Sequence, residues 1–513
     1  MTDFSKVHYY RKQEQSAQPV KVKTDVCIYG ASSAGVAAAV QAHRMGHTVA
    51  LVAFGSRLGG LSSGGLGATD IGNKAAIGGI SREFYDAVGR HYGKDKPQWI
   101  FEPHVAQKIF NEWIEECGIP VYYNQHLHKA DVHAGRLARI WMENGNEFAA
   151  DVYIDATYEG DLLAMAGVSY HAGRESNSVY RETLNGIHYG HPNHNFKAWT
   201  DPYCIPGKPD SGLLYGVADE HPGIQGQGDS CIQAYNFRIC LSENPDNRFA
   251  FPMPPGYSPE HYELLLRYIH NGVWDAMRLN IRMPNGKTDL NNYGGVSTDL
   301  IGGNYDWPEG SYEHRERIFQ EHLNYNMGML YFLSNDERVP LNIRKEMSTW
   351  GLPADEYTDN GLWTPQLYIR EARRMISDVV MTESHCRGSE VVTDSIGLAA
   401  YQMDSHNCRR IVLDGRCVNE GNVEVGASAP YPISYRSIVP KGEECTNLLV
   451  PVCLSSSHIA YGSIRMEPVF MVLGQSAAVA ASISMAQQVP VQEVDYGLLQ
   501  EELLRLNQIL QFT

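Results

Sequence analysis

Several features that mark common protein classes are missing from this sequence. None of the ten cysteines forms a C-x-x-C pair, and lysine and arginine total 42 against 59 aspartates and glutamates, a formal net charge of −17. This balance argues against nucleic acid or an anionic membrane surface as a partner, because polyanions require a basic footprint. The scattered cysteines favour buried thiols in a reducing compartment.

Membrane, export and hydrolase signals are also missing. No apolar run reaches the roughly 18 residues that a membrane helix needs, and the polar N-terminus does not resemble a signal peptide. There is no G-x-S-x-G nucleophile elbow and no catalytic cysteine signature. We therefore predict a cytoplasmic protein with no membrane partner, although export by another route stays open.

The most informative feature present is a glycine-rich turn near the start of the chain. A β-prone segment, residues 24–29, runs into the turn GASSAG at residues 30–35 and then into an alanine-rich stretch. A second apolar strand follows at residues 48–52. Such a unit directs backbone N–H groups and the positive end of a helix dipole toward a pyrophosphate. The pattern predicts a dinucleotide site.

This turn departs from the G-x-G-x-x-G pattern at two points. Ser32 occupies the second glycine position, and Ala53 lies where an acidic residue usually holds the ribose. A second glycine-rich loop, LGGLSSGGLG at residues 58–67, directly follows the second strand. Nicotinamide enzymes do not generally need such a loop, whereas flavoproteins with FAD lying along the sheet do. The two loops together favour FAD.

The rest of the chain divides by composition. Helices are predicted at residues 79–89 and 103–117, then a strand meander, a final buried strand at 446–452, and a helix from Glu467 to Gln487. The middle is rich in Tyr, Asn, Pro, Trp and Gly, with helices predicted at 260–271, 312–333 and 365–381. The predicted organisation is a polar N-terminal tail (1–20), a first part of a FAD-binding domain (21–175), a substrate or cap domain (176–392) and the second part of the FAD-binding domain (393–513).

Five short stretches, in this order, carry a family resemblance: Phe101–His104, Asp155–Asp161, Arg370–Met375, Asp404–His406 and Arg465–Pro468. With the glycine loops, they make the chain similar to a bacterial family of FAD-dependent oxidoreductases, some of whose members carry the name xanthan lyase. The resemblance covers nearly the whole chain after residue 20. It implies flavin redox chemistry and fixes no substrate.

The fold class that the resemblance implies is α/β, with a Rossmann-like FAD-binding domain of the glutathione-reductase type and an inserted α+β substrate or cap domain. The residues expected to bind FAD are Gly30, Ser32, Ser33, Ala34, Gly35, Arg57, Gly59, Gly60, Ser63, Gly64, Leu66, Leu127, Ala156, Thr157, Asp161, Arg465 and Met466.

Flavin takes or gives the hydride itself, so the protein must add a base and orienting groups. His406 is the first candidate for the base, with Asp404 orienting its ring, and His458 is the rival. Arg465 could stabilise anionic reduced flavin or hold the substrate. The alternatives are a histidine that only satisfies a backbone carbonyl, and a structural ion pair of Arg465 with Glu467 or another acid.

Two further patterns are weaker. Arg370, Arg373 and Arg374 would lie on one face of the predicted helix, as an anion site or, more often, an ion-paired surface. His188, His191 and His194 follow H-x-x-H-x-x-H, which matches no common helical metal motif, so no metal is predicted.

The leading hypothesis is oxidation of a CH–OH or CH–NH carbon of a small polar metabolite, for example a sugar or polyol, by hydride transfer to FAD. The alternatives are flavin-dependent reduction of an activated C=C bond, and a non-redox elimination or isomerisation that retains FAD. The sequence leaves open the electron acceptor (oxygen, a quinone or a carrier protein) and whether the chain forms a homo-oligomer.

Overall fold

The computed structural model describes residues 3–512, so what the sequence predicts for residues 1, 2 and 513 lies outside the described part. Its strands are β1 Lys21–Tyr29, β2 Val49–Val52, β3 Val121–Tyr122, β4 Leu127–His133, β5 Arg136–Met142, β6 Glu147–Asp155, β7 Tyr170–His171, β8 Asn236–Phe237, β9 Ile239–Ser242, β10 Lys287–Leu290, β11 Leu367–Tyr368, β12 Arg374–Met375, β13 Ser395–Ala399, β14 Met403–Ser405, β15 Arg409–Leu413, β16 Arg416–Glu420, β17 Val423–Val425, β18 Tyr431–Ser434 and β19 Leu448–Leu449.

The helices lie between these strands and after them. They are α1 Ser33–Arg44, α2 Gly60–Ser63, α3 Gly79–His91, α4 Pro103–Cys117, α5 Asp161–Met165, α6 Asn177–Tyr180, α7 Glu263–His270, α8 Tyr312–Asn335, α9 Leu341–Met347, α10 Glu383–Cys386, α11 His458–Ile464, α12 Glu467–Gln487 and α13 Tyr496–Arg505.

A seven-stranded sheet forms the centre of the cofactor-binding part. The order is β3-β2-β1-β6-β5-β4, with β19 also paired to β6. β1 runs parallel to β2 and to β6, so that Ile28 lies opposite both Leu51 and Ile154. β4, β5 and β6 form the antiparallel meander. The βαβ start and the meander predicted from the sequence are confirmed.

Helix α12 closes one face of this sheet by packing along α1. The contact is close: a Cβ atom at Gly474 would lie 2.2 Å from the carbonyl oxygen of Ala34. α12 begins and ends at the predicted residues. Within residues 3–512 it is the one helix long and apolar enough to cross a membrane, yet 78% of its apolar window is buried in the protein. Its apolar surface is therefore part of the protein core.

Two predictions about elements are wrong. Residues 365–381 contain the short strands β11 and β12 instead of a helix, and they pair with β8 and β7. The arginine side chains in this stretch bind separate buried carboxylates, so tertiary pairing overrides helix propensity. The expected helical face shared by Arg370, Arg373 and Arg374 is wrong for the same reason, because these residues lie in a stretch that forms no helix.

Candidate active site

A cavity of about 390 Å³ lies at the carboxyl ends of β1 and β6, against the first turn of α1. Seven of the residues predicted to bind FAD line it: Gly30, Ser32, Arg57, Gly60, Ser63, Ala156 and Thr157. Since a dinucleotide pyrophosphate binds where a Rossmann-type turn meets its helix, this cavity is the candidate site for the cofactor pyrophosphate.

At the first glycine turn the wall of the cavity is backbone, because the glycines there leave no room for side chains. Gly30 has a φ of +104°, and a Cβ there would lie 2.6 Å from the Ala156 carbonyl carbon. A Cβ on Gly35 would lie 1.9 Å from the Gly30 oxygen. Ser32, in the second glycine position, caps α1 by accepting the Gly35 N–H (3.3 Å) and donates to the Ala156 carbonyl (2.6 Å). A hydroxyl thus fixes the turn where the motif has glycine.

Glu467 joins the two glycine loops to the start of α12. Its buried carboxylate accepts hydrogen bonds from Ser33 (2.6 Å), Ser62 (3.0 Å) and the Tyr158 hydroxyl (2.7 Å). Burial raises the pKa of Glu467 above its usual range. Glu467 therefore holds the two glycine loops together. It is not the partner of Arg465, which pairs with Asp404 instead.

Asp161, predicted to bind FAD, lies behind the cavity in an ion network. Its carboxylate accepts from Arg315 (2.7 and 2.9 Å) and Arg373 (2.8 Å). Glu159, which the sequence prediction missed, lines the cavity. Burial and the neighbouring charge of Asp161 raise the pKa of Glu159 to about 7. The cavity therefore holds a carboxyl group that titrates near neutral pH.

Because the carboxyl group of Glu159 lines the cavity, we expect FAD to bind more weakly as pH rises. Below about pH 7 Glu159 is neutral, and above it the carboxylate repels the FAD pyrophosphate. We expect the Kd of the apoprotein for FAD, measured by fluorescence titration, to be about tenfold higher at pH 8 than at pH 6. Glu159→Gln should remove most of this dependence, since glutamine still accepts from Tyr9. An equally steep pH dependence in the variant would contradict the assignment.

The remaining predicted cofactor residues lie outside the lining of this cavity: Ser33, Ala34, Gly35, Gly59, Gly64, Leu66, Leu127, Asp161, Arg465 and Met466. Leu127 is buried, its N–H donating to the Tyr29 hydroxyl (3.2 Å) and its carbonyl accepting from Tyr312 (2.9 Å). The first turn of α1, which directly follows the glycine turn, contains Ser33, Ala34 and Gly35.

A chain of buried charges contains the predicted base. His406 Nδ1 lies 3.1 Å from Asp299 and its Nε2 lies 3.3 Å from Asp404. Arg370 pairs with Asp299 (2.9 Å), and Arg465 pairs with Asp404 (3.1 Å). Because ionised carboxylates only accept hydrogen bonds, both contacts are satisfied when both ring nitrogens carry protons.

The two carboxylates of this chain differ in access. Although burial opposes it, Arg370 and His406 lower the pKa of Asp299, and His406 and Arg465 lower that of Asp404. The Asp299 side chain is 2% exposed and that of Asp404 is 15% exposed. Asp299 is thus the inner partner of the imidazole, and Asp404 is the outer one.

Arg465 connects this charge chain to the cofactor region. It donates to the Tyr368 hydroxyl (2.8 Å) and to Asp404, and it directly precedes the N-cap of α12. Arg370 also lies over the Tyr368 ring, 4.6 Å from its centre. One side chain therefore links Asp404 to the helix whose first residue, Glu467, binds both glycine loops.

His458, the rival base, is enclosed. It is 2% exposed, and its ring contacts Glu371 (2.7 Å) and Ser405 (2.9 Å). Burial lowers the pKa of His458 to about 3, and the charge of Arg374 adds to the effect. Both ring nitrogens have protein partners, so the placement of this histidine is that of a core residue.

Sequence reasoning also missed Asp70. Its side chain is 41% exposed and lies 4.0 Å from Arg238, and desolvation raises its pKa. Burial raises the pKa of Tyr401, and the negative charges of Asp70 and Asp404 add to the effect. The available signal was position, because Asp70 closely follows the second glycine loop.

The histidines of the H-x-x-H-x-x-H pattern have separate partners. His188 contacts Gln225, His191 contacts Asn422 and His194 lies 3.4 Å from Glu424. Within residues 3–512 the group with metal-ligand spacing is Glu102, His104 and Asp355. The Lys287 ammonium lies 2.7 Å from Glu102 and 2.8 Å from Asp355, so these carboxylates already pair with a cation of the protein.

Comparison with known proteins identifies the family of the chain. Residues 25–503 match the family described as FAD dependent oxidoreductase. The chain belongs to this family of flavoproteins. Its α/β fold contains the Rossmann-like FAD-binding domain expected from the sequence.

Solved structures match over a limited part of the chain. L-proline dehydrogenase from P. horikoshii is 13% identical over 31% of this chain and 59% of its own, with a TM-score of 0.25. L-amino acid deaminase from Proteus vulgaris is 16% identical over 35% and 57%, with a TM-score of 0.23. A 3-ketosteroid dehydrogenase from Rhodococcus jostii RHA1 is 15% identical over 32% and 52%, with a TM-score of 0.21. The chain thus spans about half of the length of these proteins. No curated protein matches it.

Proposed function

We propose that this protein oxidises a CH–OH or CH–NH carbon of a small polar metabolite, such as a sugar or a polyol. The observation that carries the proposal is the charge chain Asp299–His406–Asp404–Arg465, joined through Arg465 to the start of α12. This arrangement places groups that hold and move protons next to the element that contacts both cofactor loops.

The residues divide the work of proton transfer. When bound, FAD would supply the hydride acceptor for this reaction. The proton of the substrate hydroxyl or amine passes to the pair formed by His406 and Asp404, of which Asp404 is the outer member. His406 donates to Asp404 and is oriented from behind by the buried Asp299. His406 thus shares the proton that the sequence hypothesis assigned to it alone, and the Arg465 guanidinium stabilises the charge that develops.

Further polar side chains, Asp70 and Tyr401, would suit a polar substrate. Asp70, Tyr401 and Asp404 present carboxylate and phenol groups, which bind hydroxyl or amino groups. The electrons would then pass from the protein to an external acceptor. We propose oxygen, a quinone or a carrier protein for this role. The ten cysteines, all within the described residues, are free thiols, which supports the proposed cytoplasmic location.

Anaerobic mixing of the purified yellow protein with sugars, polyols and amines tests the proposal. A substrate of the proposed class should bleach the flavin absorbance in a single turnover and yield the matching carbonyl or imine. The enzyme reduced with dithionite and then mixed with activated alkenes is the control. Bleaching by no alcohol or amine, together with rapid reoxidation by an alkene, would overturn the proposal.

Reduction of an activated C=C bond is the second candidate. It is favoured by the two carboxylate contacts of His406, since a doubly protonated imidazole is a ready proton donor. A non-redox elimination would give product with no change in flavin absorbance under either condition. The same two-part experiment therefore separates all three reactions.

A further inference from the structure

The N-terminal segment, which the family match does not cover, forms one wall of the cofactor cavity. The match begins at residue 25. The side chains of Lys6, His8, Tyr9 and Arg11 nevertheless line the same cavity as the first glycine turn. We name residues Lys6 to Arg11 the N-terminal strap. Although a polar tail is predicted here, the strap is part of the folded protein.

The strap is held in place by buried and hydrogen-bonded contacts. Val7 is 1% exposed and Tyr10 is 4% exposed. One carboxylate oxygen of Glu316, on α8, accepts the backbone N–H groups of Tyr9 (2.7 Å) and Tyr10 (2.8 Å). The Gln320 amide, also on α8, donates to the Val7 carbonyl (2.8 Å). The path of the strap across the cavity is therefore fixed by α8.

Tyr9 places the strap over one particular end of the cavity. Its ring stacks on Phe54 with centroids 4.6 Å apart, and its hydroxyl donates to Glu159 (3.1 Å). Phe54 lies two residues after the end of β2. In dinucleotide-binding folds this end of the second strand faces the adenosine ribose. The strap consequently covers the adenosine end of the cavity.

Charge points to the same half of the cofactor. The protein carries a net charge of −17, yet Lys6 and Arg11 line this cavity, together with Arg57, which pairs with Asp359 in the same lining. Ala53 stands where a carboxylate would hold the ribose, so the usual anchor is missing. A cluster of cations in an acidic protein is suited to a diphosphate.

We propose that the N-terminal strap closes over the adenosine diphosphate half of FAD and largely sets how long the protein retains its cofactor. Tyr9 packs at the adenosine end, and Lys6 and Arg11 neutralise the phosphates. The strap takes the place of the acidic ribose ligand that the second strand lacks. Exchange of FAD then requires the strap to detach from α8.

The rate of FAD release from the full-length holoenzyme tests this proposal. The double variant Lys6→Gln/Arg11→Gln changes exposed side chains and leaves the buried anchors of the strap intact. We expect release, followed by the recovery of flavin fluorescence after dilution, to be about tenfold faster than in the wild type. Lys12→Gln, a neighbouring exposed lysine outside the lining of this cavity, should release FAD at the wild-type rate. Equal rates in the double variant and the wild type would overturn the proposal.

Binding of ADP to the apoprotein identifies which half of FAD the strap contacts. The double variant should lose about tenfold in affinity for ADP, measured by calorimetry, because ADP contains the half under the strap. Faster release of FAD with unchanged affinity for ADP would mean that the strap acts on the flavin half, which would also refute the proposal. Neither outcome depends on the substrate, so failure here is distinct from failure of the proposed oxidation.

Discussion

Gly35→Val is expected to abolish retention of FAD. A side chain at this position has no space, because its Cβ would lie 1.9 Å from the Gly30 oxygen and 3.3 Å from the Ala156 Cβ. α1 would have to move away from β1, which removes the N–H groups and the dipole that bind the pyrophosphate. Wild-type protein should carry one FAD per chain by visible absorbance, and the variant should be nearly colourless.

Gly46→Ala is the matched control for this experiment. Gly46 lies just after α1 at a φ of +88°, and a Cβ there meets no atom within 4 Å. Alanine at Gly46 therefore strains the same helix unit, by about 1 kcal/mol, without touching the cradle. It should retain FAD. A Gly35→Val protein with a full complement of FAD, or wild-type protein that releases NAD on denaturation, would refute the assigned site.

His406→Ala is expected to keep the fold and FAD but to slow anaerobic reduction of the flavin by about 10²–10⁴-fold. The substitution removes the donor between Asp299 and Asp404, so the outer carboxylate loses its orientation. The measurement is stopped-flow reduction in a single turnover with a substrate found by the anaerobic screen.

His458→Ala provides the comparison. This histidine is enclosed by Glu371 and Ser405, so its loss should lower the melting temperature and alter the reduction rate far less. If the flavin of His406→Ala were reduced at the wild-type rate, the proposed role of His406 would be refuted. A loss of rate confined to His458→Ala would transfer that role to α11.

Local patterns made the cofactor-binding half predictable. The first strand, turn and helix depend on neighbours in sequence, and the glycines at positions 30 and 35 are required where β1 and α1 nearly touch. The boundaries of α12 followed from its proline start and apolar length. FAD could therefore be inferred without knowing a single contact between distant residues.

The candidate active site could be predicted only in part. His406 and Asp404 are neighbours in sequence, so their pairing was within reach, but Asp299 lies 107 residues away along the chain. From the sequence, Arg465 could form an ion pair either with the nearby Glu467 or with Asp404. The packed structure shows that it pairs with Asp404. Which carboxylate a buried arginine meets depends on tertiary packing, and that information is absent from local spacing.

The contact between Glu467 and Ser33 spans 434 residues, which bears on how the protein is made. During synthesis the first glycine turn emerges early, but its partner helix emerges only when most of the chain is complete. Contacts between residues so far apart in sequence form slowly, because the entropy cost of closing a long loop comes before the contact can stabilise the fold. A nascent chain therefore cannot complete its cofactor site, and flavin loading becomes a late, post-translational event. When cells are short of flavin, synthesis of the chain should therefore continue, and protein without FAD should accumulate.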